Sequence, residues 1–176
     1  GLEIVGRLVS EGIVCDFTRI NDEICSNIII YQRKKNLQTL LSTYGPEIKP
    51  FEVSALHNKV REVPNESFVV LCGSMPKGMS DIFFAQLITT LKEKNVKVVL
   101  DSDDEALARG LNAGPFLIKP NIHEFGRLID KNINDIDDII EEAKPYLNMV
   151  DYIVVSAGAR GVVGVSRAGN YHVVPP

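Results

Sequence analysis

The sequence has too few cysteines for a cysteine-built fold: Cys15, Cys25 and Cys72 are an odd number with no close pair. That excludes a disulfide framework and a cysteine-based zinc site, and it fits a reducing, cytoplasmic setting. Long apolar runs are lacking too. None approaches the roughly 18 residues needed to cross a bilayer, and mean hydropathy is only +0.04, so no membrane association is expected. Glu3, Arg7 and Glu11 stand where a secretory signal would be apolar, so no signal peptide is expected. A basic excess is also missing: 19 Lys plus Arg face 23 Asp plus Glu, a net charge of -4. General nucleic-acid binding is thereby excluded, and a small anionic ligand would depend on local donors.

What is present is the make-up of one globular domain, with 45% hydrophobic and 24% charged residues in 176. The sequence starts at Gly1 without an initiator Met and stops at Pro176 straight after a strand-like run, so a piece of a longer chain is expected.

From Phe68 onward, short β-branched runs alternate with amphipathic stretches, the pattern of a parallel sheet covered by helices. Strands are predicted at Phe68–Cys72, Val96–Leu100, Pro115–Ile118 and Tyr152–Val155. Between them, helices are predicted from a Ser80-Asp81 cap to about Asn95, over Glu105–Asn112, from Ile122 to Asp130, and over Ile136–Leu147 with Pro145 closing the end. Phe84, Leu87, Ile88 and Leu91 mark the buried face of the first. The rhythm then changes. Two strand-like runs flank Arg167-Ala168-Gly169-Asn170, which is turn chemistry, so an antiparallel hairpin and a mixed sheet are expected. In the first third, a helix over Ile4–Glu11 precedes strands at Cys15–Ile20, Asn27–Gln32 and Leu37–Ser42, and Phe51–Arg61 returns as a helix.

Four loops follow predicted strand ends, where open α/β sheets bind ligands. In Gly73-Ser74-Met75-Pro76-Lys77-Gly78, glycine permits close backbone approach and Ser74 offers a hydroxyl, although an ordinary βα turn has the same composition. Asp101 ends a strand and is a candidate for Mg²⁺, whereas Asp103, Asp104 and Glu105 read as helix capping. Lys119 puts a cation at the ligand end. Asn121 and Glu124, three apart, suit either a phosphate and metal site or a capping box. His123 reads as a surface residue. Ser156-Ala157-Gly158-Ala159-Arg160-Gly161 can offer backbone N–H groups to an anion, yet it is neither a Walker loop nor a dinucleotide fingerprint.

Taken in order, these four motifs resemble the phosphofructokinase-B branch of the ribokinase-like sugar kinases. The similarity spans nearly the whole chain, and within that branch it resembles most the 1-phosphofructokinase and tagatose-6-phosphate kinase group, also at Gly12-Ile13, Asn27-Ile28-Ile29-Ile30 and Gly45-Pro46. The resemblance implies a three-layer α/β/α sandwich with a small β-sheet lid, truncated at both ends: 1–176 as a partial kinase domain, with about 13–43 as lid and about 45–176 as core. It implies ATP- and Mg²⁺-dependent phosphorylation of a sugar-phosphate hydroxyl. Gly73, Ser74 and Asn27 would face the sugar. Lys119, Asn121, Ser156, Gly158 and Gly161 would hold the nucleotide, and Glu124 and Asp101 would serve the metal. Lid sheets in this group often form dimer contacts, so a homodimer is a further implication.

Two departures from the family pattern matter. No Gly-Ala-Gly-Asp segment, whose Asp acts as the family's base, occurs in the sequence, so no catalytic residue is assigned and the chain by itself is expected to be inactive. Where the group carries a phosphate-holding Arg on the lid strand, this sequence has Cys25. Two alternatives stand beside the main reading: a kinase for an unphosphorylated sugar or a nucleoside, and a non-catalytic ligand-binding relative.

Overall fold

The computed structural model describes residues 2–43 and 45–175, with only the backbone of Leu2. Gly1 and Pro176, the ends of the expected domain, lie outside the described residues. The chain divides into two compact units, one formed by residues up to Asn58 with Pro76–Met79, the other by Lys59–Met75 and the residues from Ser80 on.

In the first unit, helix α1 (Leu2–Ser10) is followed by the hairpin β1 (Asn27–Gln32) and β2 (Leu37–Ser42), which pair antiparallel from Asn27 opposite Ser42 to Gln32 opposite Leu37. Asn36, at φ 50, closes the turn. Asn tolerates this left-handed conformation better than most residues. The expected strand over Cys15–Ile20 does not form: its residues have strand propensity, but they pair with neither β1 nor β2. Helix α2 (Pro50–Arg61) starts in this unit.

Two carboxylates tie the legs of the hairpin together. Glu52, only 2% exposed, accepts the backbone N–H of Asn21 and of Lys49, both at 2.7 Å. Asp22 accepts from Glu23 N at 2.9 Å and from Glu47 N at 3.1 Å. The bond from Glu47, then that from Glu23, hold the Asp22 carboxyl below its ordinary 3.8, helped by Lys49 and opposed by a small desolvation.

The second unit is built on a six-stranded mixed sheet in sequence order, β3 (Phe68–Cys72), β4 (Lys97–Asp101), β5 (Leu117–Ile118), β6 (Tyr152–Ser156), β7 (Val162–Ser166) and β8 (Gly169–Val173). The strands β3 to β6 pair parallel, and β7 pairs antiparallel with both β6 and β8. Leu71, Leu100, Ile118, Ile153 and Val165 stand side by side across five strands and are all buried. Helices α3 (Phe83–Lys92), α4 (Asp104–Asn112), α5 (Ile122–Ile129) and α6 (Ile136–Ala143) are also in this unit. The predicted face of α3, Phe84, Leu87, Ile88 and Leu91, is buried. Alternate strand residues on the other side, among them Phe68, Val70, Tyr171 and Val173, are exposed.

Several boundaries differ from expectation, among them β5, which is confined to Leu117–Ile118, and three have a clear local cause. Helix α3 begins later than a Ser80-Asp81 cap implies, because Ser80 supplies its carbonyl to Phe83 N and Ile82 takes the N-cap without a side-chain bond. After Ala143 the chain tightens into a 3-10 turn, Lys144–Asn148, with Pro145, which lacks an N–H, near its start. The last hairpin turn is confined to Arg167 and Ala168, since Ser166 already pairs with Gly169.

Candidate active site

The register of the parallel strands brings their following loops together. Gly73 N donates to Asp101 O at 3.1 Å, and the buried Ser102 hydroxyl donates to Gly73 O at 2.9 Å. Lys119 N donates to Leu100 O at 2.9 Å, Ser156 N to Pro120 O at 3.1 Å, and Asn121 bridges to Ser156. With neighbouring strands about 4.8 Å apart, Gly73, Asp101, Lys119, Asn121 and Ser156 form one row along the carboxyl edge. Ser74 is exposed on the loop beyond β3. Asn27 belongs to the first unit, where it is exposed at the start of β1.

Charge on this edge is paired. Lys119 Nζ lies 3.0 Å from Asp101 Oδ1, with each side chain roughly 40% exposed. Asn121 and Glu124 form the capping box of α5: Asn121 Oδ1 accepts from His123 N and Glu124 N at 2.9 Å, and Glu124 Oε2 accepts from Asn121 N at 2.7 Å. The capping spacing read in the sequence is therefore realised, and it holds Glu124 by one oxygen at the helix entrance. Asp103 sits at the N-cap of α4 but its carboxylate makes no cap bond, contrary to the capping expected of it; Asp104 and Glu105 instead pair with Arg127 and Arg109. Among the described residues, no group of three or more His, Cys, Asp or Glu could hold a metal ion. One or two carboxylates suit Mg²⁺ that arrives on phosphate oxygens and keeps most of its waters, so the donor set fits a nucleotide-borne ion.

The turn after β6 is a short 3-10 segment, Gly158–Arg160, closed by Ala157 N donating to Gly161 O at 2.8 Å and Gly161 N to Gly158 O at 3.0 Å. The amides of Gly158 and Ala159, both exposed, donate to no group among the described residues. Unpaired turn amides are a docking point for an anion. Gly161 has no substitute here: its φ is 94, and a Cβ would meet Val173 O at 2.0 Å.

Beside this turn lies an open cavity of about 610 Å³ that Asn121, Ser156, Gly158 and Gly161 help to line. His123, Arg160 and Val173 line it as well, and sequence reasoning had assigned none of them a role. His123, two residues after the capping Asn121, was legible as a neighbour of that site. Val173 was not, because its place opposite Val162 depends on the register of the last hairpin.

The sequence pattern of the pfkB family carbohydrate kinases matches residues 1–176. The chain belongs to that family. Within it, the chain is 30% identical to 1-phosphofructokinase of Haemophilus influenzae over 93% of its own length and 53% of the relative's. It is 27% identical to ATP-dependent 6-phosphofructokinase isozyme 2 of Escherichia coli over 100% of its own length and 58% of the relative's. The fold agrees: the tetrameric inhibited form of Escherichia coli phosphofructokinase-2 matches with a TM-score of 0.90 at 26% identity, over 99% of this chain and 59% of that one. The same enzyme in complex with fructose-6-phosphate matches at 0.84, with 27% identity and coverage of 99% and 59%. This pfkB chain has the ribokinase-like α/β fold, and it spans between half and three fifths of the length of these relatives.

Proposed function

We propose that the full-length protein carrying this chain transfers the terminal phosphoryl group of ATP to a hydroxyl of a hexose phosphate. The observation that carries this reading is the carboxyl edge itself, where the Lys119 cation and Asp101 stand in one row with a turn whose two amides are unpaired. Phosphoryl transfer asks mainly for positioning and charge neutralisation, and these groups offer both.

In this reading Lys119 and Asn121 take phosphate oxygens, and Ser156, Gly158 and Gly161 line the nucleotide. Mg²⁺ arriving with ATP would supply charge neutralisation, and Glu124 and Asp101 would be the residues that hold it. Gly73 and Ser74 hold the sugar. None of these groups is assigned as the base, and this chain alone is expected to show no turnover, since general-base assistance is worth about 10²–10⁴-fold. The relatives' names, 1-phosphofructokinase and 6-phosphofructokinase, support a phosphorylated hexose. The exposed Ile28, Ile29, Ile30, Leu40 and Leu41 of the hairpin support a homodimer through it, and the three free thiols suit a cytoplasmic setting.

Cys25 favours a second reading, a kinase for an unphosphorylated sugar. Its exposed thiol donates to Thr43 O at 3.3 Å, and a thiol offers no bidentate cation to a sugar phosphate. Steady-state kinetics of the full-length protein with Mg-ATP against fructose 1-phosphate, fructose 6-phosphate, tagatose 6-phosphate, the free hexoses and nucleosides separates the two. A kcat/KM highest on a hexose phosphate supports the first reading; a preference for a free sugar or a nucleoside replaces it with the second.

A further inference from the structure

His172 lies in the last strand, outside every motif considered so far, yet its ring reaches the nucleotide turn. Its Nε2 is 2.7 Å from the carbonyl oxygen of Arg160. A carbonyl can only accept, so Nε2 carries the hydrogen and the imidazole donates.

Arg160 is the last residue of the 3-10 segment Gly158–Arg160, and the next residue is Gly161, against which Val173 O is packed. The adjacent pair His172 and Val173 therefore grips the adjacent pair Arg160 and Gly161. Arg160 is fixed at its other end as well, where Nη1 donates to Asn134 O at 2.6 Å. The Arg160 carbonyl shares its peptide plane with Gly161 N–H, which donates to Gly158 O at 3.0 Å, and the Gly158 carbonyl shares its plane with the free Ala159 N–H. His172 thus braces that plane through one intervening hydrogen bond, while the plane of the Gly158 amide is held by Arg160 N on Ala157 O at 3.2 Å.

We infer that His172 is a positioning residue for the nucleotide, holding the Ser156–Gly161 turn through the Arg160 carbonyl so that its free amides are aimed before the anion arrives. The inference rests on the proposed reading of that turn as part of an ATP site. Its energetic basis is preorganisation: a turn fixed in advance loses less conformational freedom on binding. His172 is exposed on the edge strand β8 and stands opposite the buried Val163 on the core face of the sheet, so His172→Gln, which keeps side-chain bulk over that face, controls for a packing effect of His172→Ala.

The test is the affinity of the full-length protein for Mg-ATP, with amide hydrogen exchange at 157–161, in wild type, His172→Ala and His172→Gln. One lost hydrogen bond predicts roughly two- to ten-fold weaker Mg-ATP binding for His172→Ala. Exchange should be faster at 157–161 alone, with sugar-phosphate affinity unchanged. Glutamine keeps a donor of similar reach and should restore most of both. Equal Mg-ATP affinity and equal exchange in wild type and His172→Ala overturn the inference and leave the proposed function standing. Loss of ATP and sugar-phosphate binding together overturns it too, by showing a merely structural role. If the wild type itself binds no Mg-ATP, the ATP reading of the turn fails first, and the inference with it.

Discussion

Lys119 Nζ and Asp101 Oδ1, 3.0 Å apart, join the ends of two neighbouring parallel strands in one half-exposed ion pair. Such pairs contribute about 0–1 kcal/mol to stability, so their value lies in what the charges face. Lys119→Met is therefore expected to lower stability by less than about 1 kcal/mol while weakening Mg-ATP binding or turnover in the full-length protein, with sugar-phosphate affinity near normal. Denaturant unfolding and a KM measured separately for each substrate check this. Equal loss toward both substrates would make Lys119 a structural residue.

Glu124 caps α5 and is proposed to serve the metal, and a pair of substitutions separates the two roles. Glutamine keeps an oxygen for Asn121 N, so Glu124→Gln should preserve the capping box yet lower kcat well beyond any change in sugar KM. Glu124→Ala should add a stability loss of about 1 kcal/mol from the lost cap. Thermal unfolding and steady-state kinetics read the two effects, and wild-type turnover in Glu124→Gln would leave Glu124 as a cap alone.

Gly161→Ala tests the turn. The substitution meets both an unfavourable φ and the Val173 carbonyl, and a residue held in such backbone costs about 1–3 kcal/mol before any clash is counted. A loss of at least that size is expected by urea unfolding. Stability within a few tenths of the wild type would mean the turn is not held against β8 as described.

The hairpin base predicts a pH dependence. The folded Asp22 carboxyl lies below its ordinary 3.8, so the folded state binds its proton less readily than the unfolded one. Its contribution is complete above about pH 4 and fades as pH falls through the lower folded value. The Glu47 amide, which donates to Asp22, should report this as an acid-side chemical-shift titration that vanishes in Asp22→Asn. A Glu47 amide unmoved through that range contradicts the clasp.

Much of the fold was legible because its signals are local. Both strands of the first hairpin were bounded to the residue by their apolar runs and the charged turn between them, and α3 showed its buried face through its spacing. Partnership was not legible. Cys15–Ile20 has strand propensity yet pairs with neither strand of the hairpin, and propensity does not see partners. The site divides in the same way. Asn121 and Glu124 announced themselves by spacing, whereas the contact of Lys119 with Asp101 depends on the β4–β5 register. The grip of His172 on Arg160 depends on the register of the last hairpin, which its turn residues alone did not fix.

The proposed ATP site lies along the carboxyl edge of the six-stranded sheet. Its most direct test is amide hydrogen exchange of the full-length protein with and without Mg-ATP. Protection is predicted at 119–124 and 156–161, with none at the opposite ends of the same strands, near Phe68, Lys97 and Tyr152. Protection at those opposite ends, or saturating Mg-ATP that leaves 156–161 unchanged, would contradict it.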